Sequence, residues 1–423
     1  MSARNLNPIM MGGNPCRVAL TGLGVISPSG IGLPAFWNSL LKRKSGIGPI
    51  TRFDTTGLKA RIAGEVDDFV PENFIPTELK PRRMARQTQF ALAATKMALE
   101  DAGLELKGFP DAHPVTLSIG SSTNDIDTVS NAAITIHKRG IHKVSPSIIT
   151  TATVQSTGAH LAAMLGVPTD VKSVSTTCSS GTDAVGLGMD LIRAGKAEIV
   201  IAGGTDCPIT PVPFGSMAKA GLCATDNDHP GSAARPFDKD RETGVISEGC
   251  GIVILENLDF ARARGAEPYA ELTGFSTRTD VDVQKSGSGF SVTMQEALGH
   301  AGRTKETVDS ISAWAPGHPE MDVVETEAIK EVFGDWAYRL AVVSIKGLIG
   351  NPFGATGVLM LIAAALSLKN GILPPTANCD EPDPRCDLDY VTDGTRKIPL
   401  NCILMNSHGV GGGNSSLVIE RCA

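Results

Sequence analysis

Aromatic residues and paired cysteines are scarce in this chain of 423 residues. Aromatic side chains make up 4% of it, and none of its nine cysteines forms a CxxC pair. So few rings argue against a stacking platform for single-stranded nucleic acid. The cysteine spacing argues against a zinc site or a disulfide framework, and we expect no metal site. Residues 1–15 lack the apolar core of a signal peptide, so a cytoplasmic location is expected.

The chain also lacks an excess of basic charge and a long apolar run. It carries 38 Lys and Arg against 45 Asp and Glu, a formal net charge of −7. This balance argues against nucleic acid as a partner. The longest apolar stretch, 357–367, is shorter than the ~18–20 residues that a membrane span needs. It predicts a buried helix, and no membrane association is expected.

Short β-branched segments alternate with longer segments of helical periodicity, which predicts an α/β protein. Most of the predicted strands are apolar throughout, as expected when helices cover both faces of a sheet. The predicted strands are 16–21, 115–119, 171–175, 198–202, 251–256, 340–344 and 402–406. The predicted helices are 34–42, 84–103, 155–165, 182–194, 323–333 and 355–369.

Two strand–loop–helix segments share one design. Strand 171–177 leads into Cys178, and strand 340–345 leads through a short loop to Asn351. Each of these polar residues stands three positions before a glycine at the start of a helix. The pattern fits a duplicated α/β unit whose two helix N-termini face one shared site. It also fits two ordinary junctions, and the sequence leaves both possibilities open.

Cys178 has the most informative surroundings of the nine thiols. It lies between a strand and the start of helix 182–194, where unpaired N–H groups and the helix dipole stabilise a thiolate and lower its pKa. The same N–H groups can hold the oxyanion that forms when sulfur attacks an acyl carbonyl. These surroundings predict a nucleophile. The alternative is a buried structural cysteine.

Two of the eight histidines stand out by their context. His318 lies in the loop 315–319, before helix 323–333, and His408 lies at a strand end before the glycine loop 409–413, which contains Val410. Catalytic residues favour loop positions of this kind, although structural histidines are commoner there. The glycine loop has no phosphate-binding spacing, so we interpret it as a tight loop that brings backbone close to another group.

With these segments identified, the chain resembles the β-ketoacyl-acyl carrier protein synthases, the ketosynthase branch of the thiolase-like condensing enzymes. The matching segments are 18–30 (VALTGLGVISPSG), 174–181 (VSTTCSSG), 200–206 (VIAGGTD), 235–251 (RPFDKDRETGVISEGCG), 325–334 (ETEAIKEVFG), 343–347 (VSIKG), 371–376 (GILPPT) and 406–414 (NSHGVGGGN). The resemblance implies a thiolase-like, five-layered αβαβα fold of two duplicated halves. We assign the halves to 16–262 and 263–423, after a loose arm at 1–15. It also implies a dimer with active sites close to the subunit interface.

The resemblance implies a mechanism as well. The family cysteine takes an acyl chain from the phosphopantetheine thiol of a carrier protein, and two histidines then assist decarboxylation of a malonyl group. Cys178 matches the nucleophile, and Lys346 and Glu325 match the supporting polar network. Trp314 and Asn351 occupy the positions of the two histidines. Neither replacement shuttles a proton near neutral pH, so little decarboxylative condensation is expected.

Three interpretations follow from these departures. We favour a chain-length-factor-like subunit of a type II polyketide or fatty acid synthase, inactive alone, that shapes the acyl tunnel of a ketosynthase partner in a heterodimer. Because Cys178 is retained, a second interpretation is an unconventional acyltransferase or ketosynthase in which His318 or His408 moves the proton. His318 takes the position of a family Thr and His408 that of a family Phe. The third is an ordinary 3-oxoacyl-acyl carrier protein synthase.

All three interpretations share one substrate. Acyl-phosphopantetheine on an acyl carrier protein is the expected substrate, with no bound cofactor. Expected substrate contacts are Trp314, Glu325, Thr123, Ile126 and Val410. Thr123 and Ile126 belong to segment 120–135, which, with helix 84–103, is expected at the subunit interface, where its bulk would limit chain length in the partner's tunnel.

Overall fold

The computed structural model describes residues 16–105, 115–282 and 286–422, so the predicted arm at 1–15 lies outside the described residues. The strands are β1 (Val18–Ser27), β2 (Gly30–Ile31), β3 (Gly48–Pro49), β4 (Ile62–Ala63), β5 (Val115–Gly120), β6 (Thr169–Val174), β7 (Ile199–Asp206), β8 (Gly249–Asn257), β9 (Ala270–Thr279), β10 (Ser310–Ser312), β11 (Ala341–Val343), β12 (Ile372–Leu373), β13 (Arg396–Lys397), β14 (Cys402–Gly409) and β15 (Gly413–Glu420). The helices are α1 (Leu33–Leu41), α2 (Arg86–Asp101), α3 (Ile126–Arg139), α4 (Ile148–Thr151), α5 (Ser156–Leu165), α6 (Ser180–Arg193), α7 (Pro211–Lys219), α8 (Leu258–Ala263), α9 (Phe290–Ala301), α10 (Met321–Phe333), α11 (Lys346–Ile349) and α12 (Thr356–Asn370).

Every predicted strand and helix overlaps an element of the structure. The glycine loop at 409–413 is the tight turn of a hairpin, in which Gly411 and Gly412 have φ angles of 98° and 88°. The sequence patterns did not predict β9, β15 or α3. The first two begin with polar or glycine-rich segments, and α3 has no buried residue that would give it an apolar face against a core.

One mixed sheet contains the principal strands, in the order β11-β10-β14-β15-β9-β1-β8-β7-β5-β6. Of these strands, the first half contains β1, β5, β6, β7 and β8, and the second contains β9, β10, β11, β14 and β15. When the five strands of each half are numbered 1 to 5 in chain order, both halves have the order 3-2-4-5-1 from the outer edge of the sheet to the junction. The halves join where β1 pairs antiparallel with β9. This repeated order confirms the predicted duplication, whereas the boundary between residues 262 and 263 stays a prediction.

The helices form three layers around the two halves of the sheet. Helices α6 and α12 contact strands of both halves, while α2 and α5 cover the outer face of the first half and α9 covers that of the second, with α10 packed on it. The layers therefore alternate αβαβα, as predicted. The segment Phe353–Asn370 is long and apolar enough to cross a membrane by length and composition, but 89% of it is buried inside the protein. It is the predicted buried helix.

Three glycines bring the two halves into backbone contact below the central helices. A Cβ atom on Gly181, at the start of α6, would lie 2.3 Å from the carbonyl oxygen of Gly354. A Cβ atom on Gly204, in β7, would lie 2.1 Å from the same oxygen. No side chain fits at these distances, so glycine allows the segments after Cys178 and Asn351 to meet.

The glycine contact predicts opposite effects for two alanine substitutions in helices. Gly181→Ala should lower the free energy of unfolding by about 1–3 kcal/mol, because its methyl group overlaps the Gly354 carbonyl. Gly299→Ala, in α9, meets nothing within 4 Å. It should raise the same quantity by about 0.5–1 kcal/mol through helix propensity. Urea unfolding of both variants measures the difference, and a Gly181→Ala variant as stable as the native chain would refute the contact.

Candidate active site

A cavity of about 300 Å³ opens beside Cys178. Six predicted site residues line it together: Cys178, Trp314, His318, Asn351, His408 and Val410. Apolar side chains fill much of the remaining wall, among them Met217, Leu222, Val245, Ile246, Met321 and Phe353. A mostly apolar wall with a few converging polar groups is typical of a small-molecule site.

A strained turn presents Cys178 to this cavity. Thr177, between β6 and α6, has a φ of 56°, which is unusual for a β-branched residue. The end of β14 crosses the turn so closely that a Cβ atom on Gly409 would lie 2.0 Å from Thr177 Oγ1 and 3.0 Å from the Cys178 nitrogen. Strain of this kind is concentrated at functional sites. The two contacts hold the sulfur against the glycine hairpin of β14 and β15.

Two donors point at the sulfur of Cys178. The backbone N–H of Val410 and the side-chain amide of Asn351 both hydrogen-bond to it. Burial nevertheless raises the pKa of Cys178 to about 11, with the Asp206 carboxylate adding to the rise and Lys346 opposing it. The predicted lowering of this pKa is therefore wrong for the resting site, because desolvation of a thiolate outweighs the helix start. Burial raises the pKa of Cys223 further, to about 12, and is the one cause of its shift among the described residues.

Asn351 reaches the sulfur with a fixed orientation of its amide. Its Oδ1 accepts a hydrogen bond of 2.7 Å from Thr356 Oγ1, in the first turn of α12. The NH₂ group is therefore the part that faces Cys178, and it can donate but cannot accept a proton. The starts of α6 and α12 thus meet at one site, which is the first of the two possibilities that the sequence left open.

Trp314 rests on two buried ionisable side chains, those of Glu325 and Lys346. Glu325 is fully buried and accepts hydrogen bonds from the backbone N–H groups of Trp314 and Ala315, at 2.9 and 2.8 Å. Lys346 donates to the carbonyl oxygen of Trp314, and its Nζ lies 4.6 Å from the centre of the indole ring. Burial raises the pKa of Glu325 and lowers that of Lys346. These two residues support Trp314 from below and do not line the cavity.

His318 is held as a neutral donor. Its Nδ1 accepts hydrogen bonds from the N–H groups of Glu320 and Met321, at 3.2 and 3.3 Å, at the beginning of α10. The ring hydrogen is therefore on Nε2. Burial also lowers the pKa of His318. In this arrangement the ring can donate a hydrogen bond into the cavity but has no unused lone pair with which to accept a proton.

His408 lies in a polar chain that the sequence analysis did not identify. Its Nε2 is 3.0 Å from Ser286 Oγ, and its Nδ1 is 2.9 Å from Asn414 Oδ1. The edge of the ring meets Trp314, with ring centres 5.1 Å apart. Burial lowers the pKa of His408, so the ring is neutral near pH 7. Ser286 lines the same cavity as Cys178 but stands 122 residues before His408 in the chain.

Thr123 and Ile126 do not line the cavity beside Cys178. They face a different cavity of about 520 Å³, which they share with Arg52, Arg86 and Glu248. Their expected role, limiting chain length in a partner's tunnel, stays a prediction. A buried carboxylate at the end of β7 fixes this segment, because it accepts hydrogen bonds from the N–H and Oγ1 of Thr123.

That carboxylate belongs to Asp206, a second residue that the sequence analysis missed. It also accepts hydrogen bonds of 2.8 Å from the N–H groups of Ser122 and Gly354. The sequence signal that could have identified Asp206 was its position at the end of an apolar strand, shortly after two glycines. Ser286 offered a weaker one, since it opens the small polar segment 286–289.

The raised pKa of Cys178 predicts how fast the thiol reacts at different pH values. Thiolate is the reacting form and remains a minor species below a pKa of about 11, so the alkylation rate of the free chain should rise about tenfold per pH unit between pH 7 and pH 10. Iodoacetamide labelling followed by peptide mass spectrometry measures this rate. Cys223 is the control and should react more slowly at each pH. A rate for Cys178 that is already constant from pH 7 to pH 9 would show a thiolate and contradict the argument.

Comparison with known proteins shows the family to which the chain belongs. Residues 16–261 match the family model "Beta-ketoacyl synthase, N-terminal domain", and residues 269–380 match the model of the C-terminal domain. The chain is 36% identical to 3-oxoacyl-[acyl-carrier-protein] synthase 2 of Coxiella burnetii over 96% of its own length and 98% of the relative. It is also 36% identical to the tetracenomycin polyketide synthase ketoacyl synthase alpha subunit of Streptomyces glaucescens, over 96% and 97% of the two chains.

A solved structure gives the same result for the fold. The ishigamide ketosynthase/chain length factor superposes with a TM-score of 0.89 at 32% identity, covering 97% of this chain and 100% of the other. The chain therefore belongs to the β-ketoacyl synthase family and has the thiolase-like fold of its ketosynthases.

Proposed function

We propose that this protein is a chain-length-factor-like subunit that pairs with a catalytically competent ketosynthase and does not condense acyl chains alone. One observation carries the proposal. The two positions that hold histidine in the family hold Trp314 and Asn351, and neither has a group that titrates near neutral pH. Decarboxylation of a malonyl thioester develops negative charge on an enolate oxygen, which requires well-placed donors.

The donors that remain suit an acyl thioester better than an enolate. Val410 N–H and the Asn351 amide are both directed at the sulfur of Cys178, where an acyl carbonyl would form. The indole Nε1 of Trp314 is buried and has no hydrogen-bond partner among the described residues. Removing one oxyanion donor costs ~10²–10³ in rate, and here the proton-transfer group is lost as well. Cys178 can thus hold an acyl chain that the site cannot extend.

The chain also presents a surface on which a partner would fit. We call residues 126–154 together with β6 the partner face. Helix α3 has no buried residue, and β6 is an edge strand that pairs only with β5 within the described part of the chain. Exposed apolar side chains on this face are Ile126, Val129, Ile134, Ile136, Ile141, Ile149 and Val154. An unpaired edge beside an exposed apolar patch is typical of an interface.

A ketosynthase is the occupant we propose for the partner face. The related ishigamide structure is a ketosynthase/chain length factor, which is the pairing proposed for this chain. The face also lies next to the site, because β6 ends at Val174 and Cys178 follows within one turn. Acyl-phosphopantetheine on a carrier protein is the proposed substrate of the pair. The name of the Coxiella burnetii relative, a synthase of acyl-carrier-protein thioesters, supports this choice.

His408 supports a second candidate function. His318 has committed its Nδ1 lone pair to the start of α10, whereas His408 keeps a basic Nε2 in contact with a hydroxyl. An acyl-transfer enzyme in which Cys178 is acylated and His408 moves the proton is therefore chemically consistent with the cavity. His318→Ala would then leave the acyl-transfer rate within about tenfold, whereas His408→Ala would abolish transfer.

The proposed function predicts that activity needs the pair. The chain alone, given malonyl-carrier protein and an acyl-carrier protein, should release carbon dioxide at least ~10³-fold more slowly than the same chain co-expressed with a ketosynthase. Release of radiolabelled carbon dioxide measures the rate of the single chain and of the pair, and mass spectrometry identifies the ketoacyl product of each. Replacing the partner's nucleophilic cysteine is the control and should abolish turnover by the pair. Product formation by the single chain at the rate of the pair would refute the proposal.

A charged residue on the partner face should prevent pairing. Val129→Asp, on α3, places a carboxylate in the proposed apolar contact and should lower co-purification with the ketosynthase by at least about tenfold, because an unpaired charge is costly to bury. Val292→Asp, on α9, is the matched control, since Val292 is a similarly exposed helical valine on the opposite outer layer. Size-exclusion chromatography with light scattering reports the assembly. Equal pairing of both variants would place the interface elsewhere.

A further inference from the structure

A chain of hydrogen bonds runs from the mouth of the cavity into the protein. Ser286 Oγ lies 3.0 Å from His408 Nε2, and His408 Nδ1 lies 2.9 Å from Asn414 Oδ1. Asn414 Nδ2 then donates to Asp280 Oδ1 at 2.7 Å. A hydroxyl in contact with a base that a third group orients is the arrangement of an activated nucleophile.

The partners of Asn414 determine which nitrogen of His408 carries the hydrogen. The amide NH₂ of Asn414 is occupied by the Asp280 carboxylate and by the carbonyl oxygen of Gly412, at 2.7 and 2.9 Å. Its oxygen therefore faces His408, and Nδ1 must be the donor. In the neutral ring, Nε2 then has a lone pair directed at Ser286. The serine hydroxyl donates to that lone pair, as a nucleophile does to its base.

Asp280 also fixes the turn that carries Ser286. Its two oxygens accept hydrogen bonds from the N–H groups of Gly287 and Gly289, at 2.7 and 2.8 Å. Gly287 has a φ of 83°, a conformation that glycine adopts without strain. Ser286 is exposed at the cavity mouth, whereas His408 below it is 3% exposed. A pantetheine chain that enters the cavity toward Cys178 therefore passes the serine hydroxyl.

We propose that Ser286 and His408 form a second acyl-transfer centre, which takes acyl groups from pantetheine-type thioesters in the mouth of this cavity. Ser286 Oγ attacks the thioester carbonyl carbon while His408 Nε2 accepts the hydroxyl proton. The C–S bond breaks, and His408 returns that proton to the departing thiolate, leaving an acyl ester on Ser286. His318, whose hydrogen is on Nε2, lines the same cavity and offers a donor for the oxyanion.

Water completes the cycle. His408 accepts a proton from a water molecule that attacks the ester carbonyl, the bond between the acyl carbon and Ser286 Oγ breaks, and the proton returns to the serine oxygen. The net reaction converts a thioester and water to a carboxylic acid and a thiol, with no further reactant. This activity goes beyond the proposed function, because it requires neither Cys178 nor a partner subunit.

The test uses the full chain with Cys178→Ala, which removes the sulfur nucleophile from the same cavity. The probes are hexanoyl-N-acetylcysteamine, whose thiol release gives the hydrolysis rate, and a fluorophosphonate, whose site of attachment peptide mass spectrometry identifies. We expect labelling at Ser286 and measurable hydrolysis. Adding Ser286→Ala or His408→Phe should lower hydrolysis by at least ~10²-fold, the contribution of a general base. Both changes should also abolish the label.

Ser288→Ala is the matched control. Ser288 is an exposed serine of the same turn, but its hydroxyl contacts Asp280 instead of a histidine. This variant should label and hydrolyse as the Cys178→Ala parent does. Absence of label at Ser286 in the folded parent, or equal labelling of Ser286 and Ser288, would overturn the proposal. Because Ser286 is exposed, its replacement by alanine tests the proposal even if His408→Phe fails to fold.

Discussion

The buried carboxylate of Asp206 is the interaction on which the site depends. It takes hydrogen bonds from backbone N–H groups on two separate segments, at Ser122 and Thr123 in the first half and at Gly354 in the second. Burial raises its pKa, which shows how costly the charged form is at this depth. The hydrogen bonds from those N–H groups offset part of that cost. They also hold the turn after Asn351 against the end of β7. The donor that faces Cys178 is therefore positioned by a group that never enters the cavity.

The polar side chains of this cavity stand at positions that differ from those of the catalytic histidines of a condensing enzyme. The resemblance matches an amide and an indole, those of Asn351 and Trp314, to the two histidine positions of the family, and it matches His408 to a phenylalanine position. Asn351 is directed at the sulfur and His408 is directed at the cavity mouth. Trp314 stands between these two polar groups and the buried Lys346. Its ring edge meets His408, and Lys346 Nζ lies 4.6 Å from the centre of its indole ring.

Local sequence patterns predicted the helices and strands of the fold. Features that depend on long-range contacts, such as pKa shifts and side-chain partners, could not be predicted from those patterns. The apolar segment 357–367 predicted a buried helix because its composition alone determines burial. Cys178 was located correctly, but the direction of its pKa shift was not, since depth in the protein and the nearby Asp206 carboxylate are absent from local sequence. Ser286 was missed because its partner, His408, lies 122 residues later in the chain, in β14.

The central helices carry a consequence for how the molecule folds. Helices α6 and α12 are shared between the two halves, and α12 is buried along almost its whole length. Neither half therefore has a complete hydrophobic core of its own, although each repeats the same strand order. The junction between β1 and β9 joins residues about 250 positions apart, and contacts of such separation form slowly. We therefore expect the two halves to unfold together, because separating them would expose the apolar surfaces of α6 and α12 that both halves cover.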